Sequence, residues 1–135
     1  MLFVTLAASV VTLYCDAYNI TSGERVGGPV SWTVTVDLTK KYAYANGSLL
    51  YQSPKTIGNL EITPDKITIP SHAVSEIVTI EREMISRTTG AVVVQTNDLR
   101  KGVTDVFAKN DQDGRSRYAG ICQPGALIPI PASKF

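Results

Sequence analysis

The side chains able to do chemistry are few and widely spaced. Two cysteines, Cys15 and Cys122, lie 107 positions apart near opposite ends of the chain. They admit three readings: a disulfide, two buried thiols, or a reactive pair. Reactive thiolates and zinc sites draw on neighbouring histidines or a C-x-x-C spacing. Here there is no such spacing, and the one histidine, His72, follows Pro70-Ser71 in a stretch that reads as an exposed loop. No metal ligation is expected. The spacing suits a disulfide closing the fold; in the chain-entropy model a loop of roughly 100 residues corresponds to about 4.7 kcal/mol, given an oxidising compartment.

Carboxylates are densest at Asp105, Asp111 and Asp113. The run Asn110-Asp111-Gln112-Asp113-Gly114 invites comparison with a calcium loop, but the register fails. With Gly114 in the glycine position, the first ligand falls on Lys109 and the terminal carboxylate on Gly120. No partner base, nucleophile motif or phosphate-cradling glycine loop accompanies these acids. The expectation is therefore a non-enzymatic chain with no cofactor.

Two groupings qualify as a binding surface. Arg115, Arg117 and Tyr118 form a small basic-aromatic cluster, and Tyr42 and Tyr51 would pair across a hairpin. The plainer readings are a solvated strand face and ordinary cross-strand packing, the latter contributing roughly 0.2–1 kcal/mol. A net charge of +1, with no long run of one sign, excludes general nucleic-acid affinity, which needs a concentrated basic surface. Asn19-Ile20-Thr21 and Asn46-Gly47-Ser48 match the glycosylation sequon; Asn46 is already explained as a turn residue, and no glycan is assigned.

The elements that would position these residues read as strands. Val30, Trp32, Val34, Val36 and Leu38 alternate with Ser31, Thr33, Thr35 and Asp37, the pattern of a sheet wet on one side. Trp32, the only tryptophan, is thereby expected as a core anchor. Val11, Leu13 and Cys15 share a face in the same way. Asn46-Gly47 between Lys41–Ala45 and Ser48–Tyr51 is a strong signal for a two-residue hairpin, which would set Ala43 opposite Leu50 and Tyr42 opposite Tyr51. Residues 60–63 and 66–69 around Pro64-Asp65 are expected as two short strands or one strand interrupted at a turn. A hairpin follows from Val78–Ile85 and Ala91–Val94 about Thr88-Thr89-Gly90, and another from Val103–Ala108 and Arg117–Cys122 about the polar loop Lys109–Arg115. The stretch 76–85 is the one helix candidate, but its β-branched residues favour strand.

With 135 residues the chain suffices for one core. Residues 1–9 read either as the remnant of an export signal or as the start of a first strand. The apolar run 2–11 falls short of the roughly 20 residues that cross a membrane as a helix. Residues 10–135 then form a single β domain. Its tail, with Pro124, Pro129 and Pro131, should be extended and lie across the sheet.

Taken in order, Tyr14-Cys15, Trp32–Leu38, the Ile62–Ile67 stretch, Ile85–Gly90 and Tyr118–Cys122, with a proline-rich end closing on Phe135, resemble a set of small exported proteobacterial β-proteins. Ser86 stands where that set would carry an aspartate. The resemblance implies an exported β domain with paired cysteines and no catalytic residues. A fainter likeness, through Thr12–Cys15 and Arg117-Tyr118 near Cys122, is to periplasmic lysozyme inhibitors. The expected molecule is an all-β antiparallel meander of about eight strands, a small barrel or sandwich, periplasmic or secreted. It would be a binding module for a protein partner or small apolar ligand, with a structural envelope or surface component as the alternative.

Overall fold

The computed structural model describes residues 9–47, 50–98 and 114–131. Among them the chain is all-β. The strands are β1 (Val10–Asn19), β2 (Val26–Asp37), β3 (Tyr42–Gly47), β4 (Tyr51–Ile57), β5 (Glu61–Ile62), β6 (Lys66–Ile69), β7 (His72–Ala73), β8 (Val78–Ser86), β9 (Ala91–Asp98) and β10 (Arg115–Pro124). They form one antiparallel sheet in the order β4-β3-β2-β1-β10-β9-β8-β6-β5, with β7 paired to β8. The sheet curls into a half-barrel. It is a meander whose first and last strands pair in its middle, so that its open seam falls between β4 and β5. The expected antiparallel all-β class stands, and of the two expected forms, small barrel or sandwich, the single curled sheet is on the barrel side.

The inner face follows from the alternation. Val11, Leu13, Cys15 and Ala17 of β1 stand opposite Val36, Val34, Trp32 and Val30 of β2, while Thr12, Tyr14 and Asp16 face outward with Thr35, Thr33 and Ser31. Trp32 is 2% exposed, and Val34, Val36, Ala43 and Ala45 are fully buried beside it. A small residue is required where β10 crosses β1: a Cβ on Gly120 would fall inside the Asp16 carbonyl. Residues 125–131 lie over the outer face of β1 and β2. Ile128 donates its N–H to Thr12 Oγ1 (2.9 Å) and accepts from Thr35 Oγ1 (2.8 Å), and the Tyr14 hydroxyl donates to the Ala126 carbonyl (2.9 Å). This cover explains why Thr12 and Thr35, outward-facing polar residues, are each 1% exposed.

Three local expectations are corrected. Tyr51 pairs with Gly47, Lys55 with Ala45 and Ile57 with Ala43, so Tyr42 and Tyr51 are not partners. Gly47 shares the inner face with Ala43 and Ala45, so Tyr51 lies inside, while Tyr42 opposes Asp37 on the other face. Second, Tyr118–Ile121 of β10 are paired on one side with β9 and on the other with β1, so their described neighbours are these two strands, and the expected hairpin strand 103–108 lies outside the described residues. Residues 99–113, including Asp105, Asp111 and Asp113, lie outside the described residues. Third, His72 is half-buried on β7 rather than exposed in a loop.

Candidate functional site

Cys15 and Cys122 stand directly opposite one another on β1 and β10 and are joined by a disulfide, with both residues buried at 1% and 3% exposure. Their Cα atoms are 3.9 Å apart. The bond ties the first strand to the last at the centre of the sheet. Cys122 also donates its N–H to the Gly90 carbonyl (2.7 Å), and Gly90, at φ 81°, has no room for a Cβ beside the Cys122 carbonyl. The turn after β8 is thus fastened to the strand that carries the disulfide.

Near that turn lies an apolar cleft of about 570 Å³. Val11, Leu13, Leu38, Ile67 and Ile85 supply apolar walls, and the turn Ser86–Gly90 contributes polar groups. Ile67 and Ile85 are almost fully buried, whereas Val11, Leu13 and Leu38 keep part of their surface exposed. The turn is satisfied internally: Ser86 Oγ accepts from the amides of Thr88 (3.3 Å) and Thr89 (3.1 Å), and Arg87 Nη1 donates to the Thr63 carbonyl (2.8 Å). Such a concave apolar site with a few polar groups suits a small apolar ligand.

Two residues further along β8 and β6 from Ile85 and Ile67, the interior turns polar. Glu83, opposite Ile69 and Val94, is fully buried. Its carboxyl reaches Trp32 Nε1 at 3.2 Å through Oε2 and the Tyr51 hydroxyl at 2.7 Å through Oε1. Tyr51 Oη is also 2.9 Å from His72 Nε2, the two rings stack at 5.7 Å, and His72 Nδ1 donates to the Pro70 carbonyl at 2.7 Å. Four strands of the half-barrel thus converge on one buried carboxyl.

Burial pushes the Glu83 pKa up to about 7, although the Tyr51 and Trp32 hydrogen bonds favour its charged form. Burial lowers that of His72, opposed by its bond to Pro70, and the charge of Lys55 lowers it further. Tyr51 is raised, first by burial and then by the adjacent Glu83, and stays protonated.

The residues expected to form a binding surface are scattered. Neighbouring strand residues point to opposite faces, so Arg115 and Arg117 lie outside while Tyr118, opposite Val94, packs against the core. Arg115 Nε pairs with Glu81 Oε1 at 3.0 Å on the outer face, and Gln95 and Asn97 also donate to Glu81. The Arg115 bond, then that of Gln95, holds the Glu81 carboxyl below its usual range. Tyr51 is interior and Tyr42 is on β3 facing away from it.

Sequence reasoning missed Glu83. An irregularity between Ile80 and Arg82 shifts the alternation of β8, so that Ile80, Glu83 and Ile85 all face inward. The signal was the odd spacing of Ile80 and Ile85, which no unbroken strand places on one face. Among the described residues no group of acids, histidines and cysteines could hold a metal ion, and no helix is long and apolar enough to cross a membrane. Comparisons with protein family models, curated proteins and solved structures return no match.

Proposed function

We propose that the chain is an exported, non-enzymatic binding module that takes a small apolar ligand in the cleft between the start of β1 and the β8–β9 turn. The observation that carries this reading is the cleft itself: a concavity of about 570 Å³ whose Val11, Leu13 and Leu38 walls remain partly open although they face the core side of the sheet. The buried Cys15–Cys122 disulfide supports export, because such bonds persist in oxidising compartments.

The test is a titration with the apolar fluorophore anilinonaphthalene sulfonate, run beside the variant Leu13→Trp, whose larger ring fills the cleft. Saturable one-to-one binding by the native chain, lost in the folded variant, is the expected result. No saturable binding, or binding indifferent to the substitution, rejects the reading. A structural envelope role is the second reading, favoured by the middle of the half-barrel, where the large side chains of Trp32, Tyr51 and Ile69 are buried.

A further inference from the structure

The buried contacts of Glu83, Tyr51 and His72 hold fewer hydrogens than their geometry calls for, independently of the cleft. Tyr51 Oη lies within hydrogen-bond distance of both Glu83 Oε1 and His72 Nε2, yet it carries one hydrogen. The Pro70 carbonyl can only accept, so His72 Nδ1 must carry a hydrogen. If Glu83 were ionised and His72 neutral, Nε2 would be bare and Tyr51 could serve only one neighbour. The other contact would then set lone pair against lone pair in a buried site, at the cost of an unmade bond.

One additional proton resolves the conflict. We propose that Glu83, Tyr51 and His72 form a proton-binding site that holds a single proton in common and fastens the open seam of the half-barrel while the proton is bound. In the favoured arrangement the Glu83 carboxyl donates to Tyr51 Oη, Tyr51 donates to His72 Nε2, His72 Nδ1 donates to Pro70, and Trp32 Nε1 donates to Glu83 Oε2. Every polar atom then has a partner and no charge is buried. Moving both hydrogens one step along the chain gives a carboxylate and an imidazolium with the same proton count, which burial disfavours.

The site lies where the sheet lacks backbone pairing. Among the described residues no ladder joins β4 to β5, β6 or β7. Tyr51 reaches from β4 to His72 on β7 and Glu83 on β8, so the shared proton sets whether both links are made. Among the described residues the charged and titratable groups acting on the pair are Tyr51 and Lys55 of β4. From the other sides β2 presents the Trp32 indole, and β6 and β9 present Ile69 and Val94.

The sign of the pH dependence follows from proton counts. The unfolded pair binds two protons below the ordinary carboxyl pKa of 4.5, one between 4.5 and 6.5, and none above 6.5. The folded pair binds one. Its contribution to stability is therefore flat from pH 4.5 to 6.5. Above 6.5 the folding equilibrium constant falls about tenfold per pH unit until the folded chain releases its proton.

Because His72 is the only histidine, nitrogen-15 NMR reads its tautomer without ambiguity. At pH 6 the expected spectrum is neutral imidazole protonated at Nδ1. On raising the pH, the His72 nitrogen shifts and the Glu83 carboxyl carbon should change together in one transition. An Nε2-protonated imidazole at pH 6, an ionised Glu83 beside a neutral His72 at that pH, or two separate transitions overturns the proposal. The variant Glu83→Gln supplies a permanent donor to Tyr51 and mimics the protonated acid. It should hold the Nδ1 tautomer above pH 6.5 with no transition, and retention of the native transition in that variant also overturns the proposal.

Discussion

The Tyr51 hydroxyl on β4 and the Glu83 carboxyl on β8 meet 2.7 Å apart inside the half-barrel, although the two strands share no backbone ladder. An acid of this kind is rarely buried without a cation. Here it is surrounded by the phenol and the Trp32 indole. The contact does for the seam what hydrogen-bonded strands do elsewhere in the sheet.

Trp32 both fills the core and donates to Glu83. Trp32→Ala is expected to destabilise the fold by roughly 3–5 kcal/mol, through lost burial and an unfilled cavity. Denaturant unfolding measures this. The native emission should be blue-shifted and poorly quenched by iodide, since the ring is 2% exposed; free quenching would place the residue outside.

Reduction of the Cys15–Cys122 bond should cost roughly 2–5 kcal/mol. Because both cysteines are buried, reductant reaches the bond only when the β1–β10 pairing opens. Intact mass after timed exposure to reductant should therefore show slow conversion that accelerates in mild denaturant. Rapid conversion in native buffer would mean an exposed bond.

Gly120→Ala places a methyl group against the Asp16 backbone. Strands β1 and β10 must separate to accept it, with an expected loss of about 1–3 kcal/mol. Thermal unfolding of the variant would reveal a strain-free crossing if the midpoint did not change.

The outer-face pair Arg115–Glu81 should contribute at most about 1 kcal/mol, because both side chains are partly solvated. Glu81 is shifted down by that pair, so its contribution is present above the ordinary carboxyl pKa and is lost as the pH falls through the depressed folded value. Arg115→Gln should weaken this acid-side dependence, the remainder coming from the Gln95 and Asn97 bonds to Glu81. A loss of several kcal/mol at pH 7 would contradict the solvated setting.

Strand identity was legible because alternation speaks directly of one wet and one dry face: Val30 to Leu38 announced β2 and the burial of Trp32. The cysteines' strand placement was legible for the same reason. What could not be read was register, which irregularities change without changing composition. The pairing of Tyr51 with Gly47 rather than with Tyr42 put Tyr51 inside, and an irregularity near Glu81 turned Glu83 inward, so alternation alone pointed to neither residue of the interior contact. His72 likewise gave no sign of its partners, because they come from β4 and from Pro70 at the end of β6. The cleft arises from how far the sheet curls, which local periodicity does not encode.

The seam contact is most directly tested by a double-mutant cycle between Tyr51→Phe and Glu83→Leu, with unfolding free energies measured in urea at pH 6. Residues in direct contact show coupling on the order of 0.5–3 kcal/mol, whereas independent sites add within about 0.3–0.5 kcal/mol. A coupling of at least about 1 kcal/mol is predicted, since removing either group takes one buried hydrogen bond from the other, leaving Glu83 only Trp32 and Tyr51 only His72. Additive losses would contradict the claim that this pair holds the seam together.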